Sequence, residues 1–113
     1  MATVVFRHAG DSIDYTPGAD VAAGNVVVQG ELVGVAKLDI KTGQLGALAL
    51  SGVFDFPKAT GAATAIVAGA KVYWDEGDAQ AKEDDEVGAN KLIGKTVAAA
   101  TDNDATVRVR LNQ

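Results

Sequence analysis

Gly94-Lys95-Thr96 ends the way a phosphate-binding loop ends, with a lysine to reach phosphate oxygens and a hydroxyl to hold magnesium. The motif fixes the spacing back to its first glycine, and here Ala89, Asn90, Lys91, Leu92 and Ile93 separate Gly88 from Gly94, one residue too many. Its lysine and threonine also open a helix, whereas Thr96-Val97-Ala98 continues a strand pattern. Nucleotide hydrolysis therefore lacks its cradle. His8 is the sole histidine and cysteine is absent, so a nucleophilic triad has few parts to draw on. Neither Ser12 nor Ser51 lies in a G-x-S-x-G elbow. A zinc site would reduce to the one imidazole. The runs Asp75-Glu76-Gly77-Asp78 and Glu83-Asp84-Asp85-Glu86 gather carboxylates that suit a hard cation, but their spacing is not that of an EF-hand loop. A solvated hairpin loop is the expectation there. Catalytic, cofactor-binding and metal sites are all expected to be absent, and the chain is read as a non-enzyme.

The residues that remain suit binding. Arg108 and Arg110 share one face of a strand, as a short basic stripe for phosphate or, more in keeping with an acidic chain, for salt bridges to a protein partner. Tyr73 and Trp74 are adjacent, so in a strand they point to opposite sides: one enters the core and the other is free to anchor an interface. The opening stretch Ala2 to Phe6 is short and β-prone, fit to pair with an exposed strand of another protein; Thr3, Val4, Val5 and Phe6 are its interface candidates.

Composition narrows the partner. The chain has 113 residues, 10 basic and 15 acidic, for a formal charge of −5. That balance opposes the counterion release that drives nucleic-acid binding, so no nucleic-acid partner is expected. No window approaches the roughly 18 apolar residues a spanning helix needs, and the first residues lack a basic lead before an apolar run. No membrane partner is expected. The length suits one domain, residues 1–113. Although 48% of residues are hydrophobic, only one Trp, two Tyr and three Phe are among them. Much of the remainder is alanine, so less apolar surface is buried per residue than the percentage suggests, and stability gained by assembly would suit such a chain.

The elements that must position these residues are strands. Thr106 to Leu111 alternates cleanly, with Val107, Val109 and Leu111 on one face and Thr106, Arg108 and Arg110 on the other. Leu92 to Ala98 reads as a second strand, joined to it through the turn residues Thr101-Asp102-Asn103-Asp104. Ala36, Leu38 and Ile40 alternate with Lys37 and Asp39, then Lys41-Thr42-Gly43 turns the chain into Leu45 to Leu50, which predicts another hairpin. Val26 to Gln29, Val53 to Phe56 before Pro57, and Lys71 to Trp74 add short strands. Ala59 to Ala70 is alanine-rich but broken by Gly61 and Gly69, and reads as a loop holding no more than one helical turn. Neither a repeat nor a linker divides the chain.

The order of segments carries a resemblance: an opening strand, Val53-Phe54-Asp55-Phe56-Pro57-Lys58-Ala59, then Gly69-Ala70-Lys71-Val72-Tyr73-Trp74-Asp75, then Leu92-Ile93-Gly94 leading to Val107-Arg108-Val109-Arg110-Leu111. Over nearly its whole length the chain resembles a family of small tailed-phage proteins, some of them capsid cement proteins, of which some relatives carry a recombinase label. The resemblance implies an all-β, single-domain antiparallel sandwich of jelly-roll-like form. It implies a homo-oligomer, dimer or trimer, bound to the major capsid protein on the outside of the virion shell after synthesis in the host cytoplasm. It offers no catalytic residues to carry over. Two other classes compete: a carbohydrate-binding or adhesive module of the virion surface, for which Tyr73, Trp74 and Tyr15 are the stacking candidates, and a nucleotide-dependent recombination protein.

Overall fold

Period-two alternation organises the molecule, and it is clearest in the strand Thr106–Leu111, whose burial alternates residue by residue. In the computed structural model, which describes residues 3–113, nine strands form two antiparallel sheets. The first sheet contains β1 (Ser12–Tyr15), β2 (Val26–Gln29), β3 (Leu32–Ala36) and β4 (Gly46–Ala49), in the order β1-β4-β3-β2. The second contains β5 (Gly52–Pro57), β6 (Lys71–Asp75), β7 (Gln80–Lys82), β8 (Lys91–Thr96) and β9 (Thr106–Leu111), in the order β5-β9-β8-β6-β7. The all-β antiparallel sandwich read from the sequence is the architecture found. Its jelly-roll likeness is one of layers rather than of winding, because the chain completes one sheet before starting the other. Within the first sheet, β2, β3 and β4 form a meander and β1 lies beside β4, a Greek-key order.

β9 lies between β5 and β8 and sends Val107, Val109 and Leu111 inward, where Phe56, Val72, Trp74 and Ile93 meet them. Trp74 packs edge-on against Phe56, with ring centroids 6.0 Å apart, and Phe54 meets Phe56 at 6.3 Å. Val35 joins this core from the first sheet, with Val26 and Val28 packed against it, and so ties the two layers together. A smaller cluster of Ala36, Ile40 and Leu48, flanked by Ile13, Tyr15, Val21 and Val27, covers another part of the first sheet. Gly94 permits the close approach of β8 and β9: a Cβ there would sit 2.0 Å from the Arg110 carbonyl oxygen.

One expectation needs correction. The alternation from Ala36 to Ile40 is not a strand: β3 ends at Ala36, Leu38 is 78% exposed, and Ile40 returns to the interior by a bridge to Val21. The Asp39 carboxylate accepts the Ala23 amide at 2.8 Å, and Val21 and Ile40 exchange backbone bonds of 2.8 Å each, so residues 37–39 bend around the 21–24 segment. The hairpin into β4 therefore starts from β3. The 59–70 segment is a loop, in keeping with its sequence, and holds no helical turn. It is held by the Ile66–Ala100 bridge and by Asp102, whose Oδ1 accepts the amides of Thr64 and Ala65. Lys58, buried beneath this segment, donates to the carbonyls of Ala59 and Asp104 and to Thr64 Oγ1.

The accessible surface is 7041 Å². A compact monomer of this mass exposes about 5,800 Å². The radius of gyration, 15.2 Å, likewise exceeds the roughly 13 Å expected for the length. The excess reflects two thin layers and an opening segment, Thr3 to Gly10, that is exposed throughout.

Val109 is 0% exposed. Val109→Asp should therefore cost on the order of 4 kcal/mol or abolish folding, while Thr106→Asp on the outward side of the same strand should stay within about 0.5 kcal/mol of the parent. Urea denaturation of the two variants checks this; equal midpoints would reverse the assignment of strand faces.

Candidate protein-binding surfaces

The opening segment is the most apolar exposed feature. Val4 and Phe6 are each 84% exposed, Val5 is little less so, and none of Thr3 to Phe6 forms a hydrogen bond with the body of the fold among the described residues. Ala2 lies outside the described residues. The segment leads into β1, an edge strand with one side of its backbone unpaired, and an edge of this kind accepts further strands readily. Beside its root, an open groove of about 810 Å³ is lined by Asp11, Ser12, Leu38, Ile40, Leu45 and Ala47, with Leu38 and Leu45 exposed.

A second surface is the outer face of the five-stranded sheet, and register assembles it. Val53 lies opposite Arg110, Arg110 opposite Lys95, and Lys95 opposite Lys71. All four side chains are exposed, so three cations stand side by side across three neighbouring strands. Arg108, in the adjacent row, is already engaged: its Nε donates to Asp55 at 2.9 Å. That contact holds the Asp55 carboxyl below its ordinary range and the guanidinium above its own. Lys71, Lys95 and Arg110 have no ion pair among the described residues. Of the two candidate arginines, then, Arg110 has the free charge, and the sequence reading missed Lys71 and Lys95 beside it.

Tyr73 and Trp74 diverge as adjacent strand residues must. Trp74, 7% exposed, belongs to the core, and Tyr73 is half-buried on the other side. Tyr15 packs against the smaller cluster. His8 is exposed near the opening segment, its Nδ1 beside its neighbour's carbonyl, Ala9 O, at 2.6 Å. Gly94 to Thr96 forms strand rather than loop: Thr96 Oγ1 is buried, donating to Val67 O and accepting from the Ala70 amide. No helix follows to point its amides at a phosphate.

In the acidic region, Lys82 supplies the cation that the carboxylates would otherwise seek. Its Nζ donates to Asp75 Oδ2 at 2.7 Å and to Asp78 Oδ2 at 2.6 Å. The lysine lowers the Asp75 carboxyl below its ordinary value of 3.8, helped by the Asp78 amide, and the two carboxylates raise the lysine in return. Among the described residues no group of three or more His, Asp or Glu side chains is placed to hold a metal ion.

The two-sheet frame thus presents two exposed surfaces. The phage cement protein family matches residues 7–111. The chain belongs to the phage cement protein family. The match spans both sheets and begins one residue after Phe6. Membership assigns a structural, capsid-associated role, of the kind the sequence resemblance implied. Comparison with curated proteins and with solved structures finds no match.

A depressed carboxyl stabilises the fold above its unfolded value and loses that contribution as pH falls through its folded value. The melting temperature should therefore drop on acidification below about pH 4, and Asp75→Asn should flatten that limb while lowering stability at neutral pH. Melting curves of both proteins from neutral to acid pH check it; identical acid limbs would show that the Lys82 contact contributes nothing.

Proposed function

We propose that this protein binds the outer surface of an assembled phage capsid as a homo-oligomer and stabilises the shell by bridging neighbouring copies of the major capsid protein. The observation that carries the reading is the exposed Thr3–Phe6 segment on a frame of cement-family type: an apolar, largely β-branched stretch that forms no strand and no hydrogen bond with the rest of the fold among the described residues. Pairing with an exposed capsid strand would satisfy its backbone and bury Val4 or Phe6, with the Leu38 and Leu45 groove alongside. The excess surface of the free chain supports the same reading, since assembly would bury apolar area that folding leaves exposed. Several modest contacts made at once by an oligomer hold more firmly than any one of them. No step calls for a nucleophile, cofactor or metal, and the protein acts by mass action on the assembled state. It would be made in the host cytoplasm and reside on the virion surface.

The carbohydrate-binding reading requires exposed aromatic faces. Trp74 is in the core, and Tyr15 and Tyr73 are half-buried on different sheets, so the three stacking candidates form no platform. The recombination reading loses its phosphate loop to β8.

A site built from two capsid subunits exists only after assembly. The protein should cosediment with assembled shells far better than with free subunits, and decorated particles should release DNA at a higher temperature than bare ones. Phe6→Ser should weaken shell binding by about tenfold or more while leaving the melting temperature of the free protein unchanged, because an exposed anchor matters only when bound. Equal affinity for shells and free subunits, together with equal release temperatures, would refute the cement function. Unchanged occupancy by Phe6→Ser would refute the role of the opening segment.

A further inference from the structure

Like charges directly opposite on neighbouring strands destabilise a sheet. The fold nevertheless aligns Lys71, Lys95 and Arg110 in one row, although the chain has 15 acidic residues from which partners could have been drawn. Asp55, on this same face, is held by Arg108, and no carboxylate pairs with the row among the described residues. The row is bordered by exposed valines: Val53 at its end, and Val97, whose amide bonds the Arg108 carbonyl.

The complement lies on the same chain. The loop from Glu83 to Asn90 joins β7 to β8 at the Lys91 end of β8. Glu83, Asp85 and Glu86 are exposed and have no ion pair among the described residues. The cations closest in sequence are committed elsewhere, Lys82 to Asp75 and Asp78, and Lys91 to Glu31 at 3.1 Å. At the tip, Val87 is 103% exposed and has a φ of 58°, and Glu86 has 49°. A β-branched residue in the left-handed region is strained, and strain of this kind is characteristic of segments shaped for binding. The tip thus presents an apolar knob ringed by carboxylates, and the row presents cations bordered by apolar side chains. The loop makes no ion pair with its own row among the described residues: it departs from the Lys91 end of β8, about 13 Å from Lys95.

We propose that the cationic row Lys71, Lys95 and Arg110 of one copy receives the acidic Glu83–Val87 loop of a second copy, and that this contact is the self-association interface of the protein. It rests on the homo-oligomer part of the function proposed above and names the surfaces that make it. A two-fold pair makes the contact twice, and a ring makes it once at every boundary.

The test is sedimentation velocity of the full chain across a concentration series, at about 50 mM and about 500 mM NaCl. The parent should associate, and about tenfold more weakly at the higher salt. Lys95→Glu and Asp85→Lys should each weaken association by about tenfold, and the double variant should recover to within about threefold of the parent. Melting curves confirm that each variant remains folded, as expected for exposed side chains. Association that persists in both single variants overturns this interface and leaves the oligomer intact. A parent that is monomeric throughout overturns the interface and the oligomer together, while shell cosedimentation still reads capsid binding separately. Failure of the double variant to recover overturns the pairing of row with loop.

Discussion

Everything in the molecule hangs on the two faces of β9. Because successive side chains of a strand point to opposite sides, the sequence Thr-Val-Arg-Val-Arg-Leu sends three apolar groups into the interior and leaves Arg108 and Arg110 on the surface. Hydrogen bonding to β5 on one side and β8 on the other then fixes what stands next to each. Inward, this gathers Phe56, Trp74 and Ile93 into one core. Outward, it brings Lys95 beside Arg110 and Asp55 beside Arg108. A shift of one residue in register would exchange the faces and lose both at once.

That dependence explains what could be read from the sequence. β9 was legible because its pattern is local and has a single solution. Trp74 and Tyr73 were legible as a divergent pair for the same reason. The stretch 36–40 misled because Ala36 and Ile40 are buried for unrelated reasons, one at the end of β3 and the other through a bridge to Val21; two buried ends imitate a strand. β3 escaped notice because Gly34 interrupts its apolar run, and only the structure shows that Leu48 occupies the space a side chain would need there. β7, three residues long, has too little pattern to detect. The cationic row could not be seen at all: Lys71, Lys95 and Arg110 are remote in sequence, and only strand register makes them neighbours. The signal available was that each is an exposed cation within a short strand.

The thin core and the exposed surface are two aspects of one design. A chain whose apolar content is largely alanine and valine builds layers rather than a deep interior, and leaves Val4, Phe6, Leu38 and Leu45 in solvent. In a free monomer these are liabilities. In the proposed assembly they would become buried area, and the assembled state would gain what the isolated fold forgoes. Charge is segregated too: the carboxylates of Glu83, Asp85 and Glu86 and the cations of Lys71, Lys95 and Arg110 form no ion pair within the chain among the described residues. Several of the chemistry-bearing residues serve the fold itself: Asp102 accepts the amides of Thr64 and Ala65, and Asp55 and Asp75 pair with Arg108 and Lys82.

The central claim, that this sandwich bridges capsid subunits on the outside of the shell, is tested most directly by cryo-electron microscopy of phage shells saturated with the purified protein. The account predicts ordered density for the sandwich over boundaries between subunits, with Thr3 to Phe6 running as an added strand against the capsid. Density centred on single subunits with no contact across a boundary, or shells that acquire no ordered density at saturation, would contradict it.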